Sequence, residues 1–199
     1  MKPMKMTFRQ KILKALYPLV MKFSGGSSKG KIIRNSQKAK PSRPFHQLKT
    51  SLNNGEELDF SQLKGKKVLV VNTASNCGYT GQYSELQKLQ EQYGKQLQVI
   101  GFPANDFKEQ EKADDASIAE FCQLNYGVSF PLSKKSQVVK GKGQHPVFEW
   151  LSNPAENGWN RQPPEWNFSK YLINEDGVLT HYFGPAVSPL SKEVQRQLS

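Results

Sequence analysis

The sequence is poor in the residues that bind metals and build extracellular scaffolds. It has two cysteines, Cys77 and Cys122, and three histidines, His46, His145 and His181, in 199 residues. Two cysteines are too few for a disulfide framework or a cysteine-rich zinc site, and the isolated histidines lack ligand spacing, so no metal is expected. Long apolar runs are missing too. Nothing approaches the roughly 20 consecutive apolar residues that a membrane-spanning helix needs. Acids are absent from residues 1–44, which carry twelve Lys and Arg, while the rest holds sixteen bases against seventeen acids. The net charge of +11 therefore belongs to the N-terminal segment alone. The remainder has no charge bias toward nucleic acid, and no base-stacking or base-reading residues interleave with the basic ones, so nucleic acid is not expected as a partner.

What is present begins with a basic amphipathic pattern. Phe8, Ile12, Leu13, Leu16, Leu19, Val20 and Phe23 recur at helical spacing, with Arg9, Lys11, Lys14 and Lys22 between them. This predicts a helix, interrupted or kinked at Pro18, of the kind that lies on a membrane surface. A solvated tail is the plain alternative, and the lack of acids leaves a transit peptide open; no A-x-A-like site follows to mark a signal peptide. Residues 24–28, SGGSS, read as a flexible linker, and 29–44 as a linker without core. Residues 1–44 are thus expected as an extension and 45–199 as the folded domain. The expected placement is cytoplasmic, peripheral at a membrane surface, with organellar or exported locations left open.

Within the domain, residues 68–71, VLVV, form an apolar run with no polar face, which predicts a central strand buried on both sides. From Gly81 the period changes: Tyr83, Leu86, Leu89 and Tyr93 mark one face of a helix. Residues 97–102 predict a second apolar strand, ended by Pro103. A helix over 115–122 with Asp115 as cap and another over 146–151 with Pro146 in its first turn are expected. Asn53-Asn54-Gly55 and Glu175-Asp176-Gly177 predict hairpins, the first joining 45–49 to 57–60, the second joining 168–173 to 179–183. Ser188 and Pro189 predict the start of a terminal helix. The order describes an α/β fold, a mixed central sheet flanked by helices, which a thioredoxin-like arrangement satisfies.

Cys77 then falls on the loop that leaves the carboxyl end of the central strand and enters a helix, where open α/β sheets place chemistry. Donors at a helix N-terminus stabilise anions; a free thiol with a pKa near 8.5 is only about 3% ionised at neutral pH, so such a position predicts a lowered value. The plain reading of a lone cysteine is a small buried hydrophobe.

Four segments in order resemble the glutathione peroxidase family. Residues 71–83, VNTASNCGYTGQY, match the stretch carrying that family's peroxidatic selenocysteine or cysteine; 101–111, GFPANDFKEQE, its Gly-Phe-Pro loop ending in Gln-Glu; 121–131, FCQLNYGVSFP, its resolving-cysteine segment; and 166–168, WNF, its Trp-Asn-Phe signature. The resemblance covers the chain from about Phe45 onward. It implies a thioredoxin-like fold and a catalytic tetrad of Cys77, Gln110, Trp166 and Asn167. The residue types suit the chemistry, since two amides and an indole donate hydrogen bonds to a thiolate without adding a titratable charge. Ala104 and Lys108 depart from the family pattern, as does Asp106, a carboxylate near the site that is expected to point into solvent.

The resemblance further implies a peroxidase with no metal, selenium or other cofactor. Cys77 would attack hydrogen peroxide or an organic or lipid hydroperoxide, Cys122 would resolve the sulfenic acid, and thioredoxin or a similar dithiol protein would recycle the disulfide. The short segment between Val128 and Trp166 implies a monomer with an open site. A redox relay that oxidises a client protein and a glutathione-dependent one-cysteine peroxidase are the alternatives. A disulfide reductase is disfavoured because Thr80 stands where C-x-x-C needs its second cysteine.

Overall fold

A computed structural model of the chain describes residues 6–23 and 30–198. The linker expected at 24–28 lies outside the described residues. Helix α1 (Phe8–Phe23) runs through Pro18 without a break. Next comes a strand that the sequence did not announce. β1 (Ile32–Arg34) lies inside the stretch expected to be a linker without core, yet it pairs antiparallel along the sheet edge. The folded unit therefore starts well before residue 45. Three residues held by backbone ladder bonds leave little side-chain pattern to detect.

A small hairpin, β2 (Lys49–Ser51) and β3 (Glu57–Asp59), turns at the expected Asn53–Gly55 signal. Its first arm was expected to begin at Phe45, but Phe45–Gln47 is a single 3-10 turn. β4 (Lys67–Thr73) leads through the Cys77 loop to α2 (Gln82–Tyr93), and β5 (Leu97–Pro103) returns parallel to β4. α3 (Asp115–Tyr126) is capped by Asp114, one residue before the expected cap, whose carboxylate accepts from the Ser117 N–H. α4 (Pro146–Leu151) and α5 (Pro154–Asn157) precede the antiparallel pair β6 (Lys170–Ile173) and β7 (Leu179–Phe183). The terminal helix α6 (Lys192–Gln195) starts at Ser191, not at Ser188. The Ser188 hydroxyl is engaged elsewhere, donating to Glu85 and accepting from the Leu190 N–H.

The main sheet has the order β1-β7-β6-β4-β5, with β4 paired parallel on one side and antiparallel on the other. Successive residues of a strand face opposite sides. Leu69 and Val71 accordingly join the apolar layer containing α2 and α3, while Val68 and Val70 join the one containing Phe45, Phe148 and Trp150 of the α4 side. Burial on both faces makes β4 the strand about which the two layers are registered.

Candidate active site

The Cys77 loop is a run of turns between Thr73 and Gln82. Thr80 holds it: its hydroxyl accepts from the Cys77 N–H at 3.0 Å and reaches the carbonyl oxygens of Ala74 and Cys77 at 2.9 and 2.7 Å. Three further bonds stitch the loop to residues 104–111. The Ser75 N–H and hydroxyl donate to the Glu111 carboxylate at 2.8 and 2.9 Å, and the Asn76 N–H donates to the Gln110 carbonyl at 3.1 Å. Asn105 closes the second loop by accepting from the Glu111 N–H. Glu111 is buried, and desolvation pushes its carboxyl up to about 7 against those bonds from Ser75.

The Trp166–Asn167 turn hangs from the same strand. Asn72 of β4 donates through Nδ2 to the Trp166 carbonyl at 3.1 Å and accepts the Ser169 N–H at 3.0 Å, while its carbonyl accepts the Phe168 N–H at 2.7 Å. Phe168 adopts a left-handed φ of 65°. That conformation, sparsely used outside glycine, belongs to a turn that precedes β6, so Trp166 and Asn167 are not subject to strand alternation. Lys170 locks the turn from beneath, fully buried, donating to the Phe168 carbonyl at 2.6 Å and to Gln82 Oε1 at 2.8 Å; burial pulls its ammonium down to about 7.

These three segments meet at the Cys77 sulfur. The Tyr79 N–H donates to Sγ at 3.4 Å, and the Trp166 indole, Asn167 amide and Gly78 N–H are further donors that favour the thiolate. Gln110 stands one bond away, its Oε1 accepting from Asn167 Nδ2 at 2.9 Å. Four of the five expected site residues thus come together, with Gln110 acting on Asn167 and not on the sulfur itself. The expected fall in thiol pKa is not what the folded chain shows. Cys77 is 1% exposed, and loss of hydration, the largest effect, outweighs the donors and raises the thiol above its ordinary value. Desolvation disfavours whichever form is charged. A cleft of about 510 Å³ lies on the far side of two of the sulfur's neighbours, its wall including Tyr79 and Trp166 together with Lys31.

Cys122 does not join them. It is buried on α3, its thiol pushed up to about 12 by burial, and both cysteines are free and stand apart. Asp106, expected in solvent, is half-buried and accepts from the Val138 N–H at 2.8 Å. Sequence reasoning passed over Asn72, Glu111 and Lys170. The signal for two of them was present: a polar or charged residue inside an otherwise apolar strand, where burial demands a dedicated partner.

The family model for glutathione peroxidase matches residues 45–152. A "Glutathione peroxidase homolog BsaA" of Halalkalibacterium halodurans is 44% identical over 147 residues, covering 73% of this chain and 92% of its own. The chain belongs to the glutathione peroxidase family. The "Glutathione peroxidase-like peroxiredoxin 2" of Saccharomyces cerevisiae is 41% identical over 158 residues, covering 78% and 97%. Among solved structures, the apo form of Trgpx superposes with a TM-score of 0.59 at 34% identity, over 79% of this chain and 94% of that one. The thioredoxin-like fold follows, and the protein is a glutathione peroxidase-like peroxidase that reduces hydroperoxides. The family model's match begins at residue 45, after helix α1.

Proposed function

We propose that the protein is a thiol peroxidase in which Cys77 is the peroxidatic residue, Cys122 resolves it, and thioredoxin or a similar dithiol protein restores both thiols. The carrying observation is the convergence of neutral donors on a buried sulfur: Trp166, Asn167 and the N–H groups of Gly78 and Tyr79.

In this cycle the Cys77 thiolate attacks the distal peroxide oxygen. The S–O bond forms as the O–O bond breaks, and the alkoxide or hydroxide leaves and takes up a proton. Donors aimed at the sulfur also face the charge that passes to oxygen. The sulfenic acid then condenses with the Cys122 thiol: the S–S bond forms as the S–O bond breaks, and the thiol proton leaves with the hydroxyl as water. A disulfide needs the two Cα atoms within about 7 Å, so α3 must unwind locally before the bond forms. Its N-terminal side suits this, because residues 108–116 are mostly exposed or half-buried around the left-handed Lys108 and Glu109.

The test is hydroperoxide-dependent oxidation of reduced thioredoxin by wild type, Cys77→Ser and Cys122→Ser. Loss with the first and strong impairment with the second is expected. Turnover surviving Cys77→Ser would eliminate the proposal. The separation of the two thiols favours one alternative, a one-cysteine cycle, which predicts full activity of Cys122→Ser with glutathione as reductant.

A further inference from the structure

Helix α1 meets the domain through one side only. Gln10 Nε2 donates to the Ser75 carbonyl at 3.4 Å, Lys14 Nζ donates to the Asn125 carbonyl at 2.7 Å and lies 4.6 Å over the Tyr126 ring, and the Tyr17 hydroxyl donates to Glu85 at 2.6 Å. The Tyr17 ring sits so close to Gly81 that a Cβ there would come within 2.3 Å of it, and Val20 lies over Gly78. Met6 packs on the apolar cluster that contains Cys77. The inner side thus mixes polar and aromatic groups with the half-buried Leu13, Val20 and Met21, and it rests on the loop that carries the sulfur.

The opposite side is apolar and bare. Phe8, Ile12, Leu16 and Leu19 are 81%, 41%, 46% and 51% exposed. Their spacing of four, four and three residues makes one stripe. A surface helix ordinarily turns such a stripe toward the core; this one turns it to solvent. At about 100° per residue, Arg9 borders one edge of the stripe, and Lys11 and Lys22 border the other. Residues 1–44 contain twelve bases and no acid, so two copies of this face repel each other, whereas an anionic surface attracts it. No helix among the described residues is long and apolar enough to cross a membrane, which leaves binding in the interfacial plane.

We propose that the outer stripe of α1 is a docking face for an anionic lipid bilayer, entered with the helix still seated on the domain. The arrangement differs from a tether. Because α1 rests on Gly78 and Gly81, which flank the cleft-lining Tyr79, a bilayer bound at the outer stripe would be held at a fixed distance from the loop that carries Cys77. Apolar residues supply insertion, and Arg9, Lys11 and Lys22 supply attraction to acidic headgroups.

Flotation of the full chain with vesicles of phosphatidylcholine, with and without phosphatidylglycerol, tests the surface. Binding is expected with phosphatidylglycerol, weakened by salt, and the double variant Leu16→Glu/Leu19→Glu is expected to lose roughly tenfold or more in affinity. Both residues face solvent, so the variant's turnover of dissolved hydrogen peroxide should match wild type, which controls for folding. Hydrogen exchange on the vesicle-bound protein tests the seating: residues 75–81 and 125–126 should keep their protection. Absence of flotation with acidic vesicles, equal flotation of the double variant, or loss of that protection on binding would each overturn the proposal. Lack of turnover by wild type in solution would instead count against the peroxidase reading and leave the lipid result to stand by itself.

Discussion

Asn167 Nδ2 and Gln110 Oε1 lie 2.9 Å apart across 57 residues of sequence, so the amide that faces the Cys77 sulfur is oriented by a second amide that does not itself need to touch it. An amide nitrogen carries two protons. With one spent on Gln110, the other is left in a fixed direction for the sulfur.

Removing that donor tests its electrostatic role. A hydrogen bond to a charged group contributes about 1.5 to 3 kcal/mol, so Asn167→Ala should slow the single-turnover reaction of Cys77 with hydrogen peroxide by roughly ten- to hundredfold near neutral pH. Burial already raises the thiol pKa, and losing a donor raises it further. The rate therefore increases with pH in both proteins, and the variant's profile lies at higher pH. An unshifted profile with a uniformly lower rate would make Asn167 a steric element only.

Gln110 separates orientation from charge. Gln110→Ala removes the acceptor and should cost less than Asn167→Ala, roughly three- to tenfold, with little movement of the pH profile. Gln110→Glu keeps the acceptor but brings a negative charge near the sulfur, which disfavours the thiolate. Its profile should move to higher pH. Rates measured across neutral and alkaline pH distinguish the two variants, and identical profiles would refute the assignment.

Glu111 sets a pH dependence of stability. Its folded pKa, pushed up to about 7, exceeds that of an unfolded glutamate, so its contribution is fully present below about pH 4.3 and is lost as pH rises through about 7. The loss is on the order of 3 kcal/mol. In Glu111→Gln the amide carbonyl still accepts from the Ser75 N–H and hydroxyl, and this part of the decline should vanish. Urea unfolding at mildly acidic and mildly alkaline pH measures it. Parallel losses in the two proteins would show that Glu111 is not the cause.

In the proposed cycle, resolution by Cys122 needs α3 to open. Stoichiometric peroxide should give wild type a Cys77–Cys122 disulfide and strip amide protection from the α3 segment around Cys122, whereas Cys122→Ser should keep that protection. Disulfide formation with α3 still fully protected would rule out local unwinding.

Much of the layout was legible beforehand because it rests on local periodicity. β4, α2, β5, α4 and both hairpin turns follow from apolar spacing and turn residues. β1 was hidden because Ile32 and Ile33 are only half-buried and the strand is held by ladder bonds to β7, which no side-chain pattern encodes. Ser188 carried a cap-like pattern but is bound to Glu85, and Ser191 caps instead. At the site, residue types pointed to neutral donors around sulfur. The sign of the thiol shift was not readable, because it depends on how much water the fold removes from Cys77, a sum over the whole cluster.

Asn72 carries a wider consequence. It belongs to the buried ladder of β4, and its side chain and carbonyl hold the backbone from Trp166 to Ser169, so that half of the pocket is fastened by the sheet's own fabric. It should not soften ahead of the rest on heating: loss of Trp166 and Asn167 from the sulfur should coincide with the melting of the strands, giving enzymatic inactivation and global unfolding a shared midpoint.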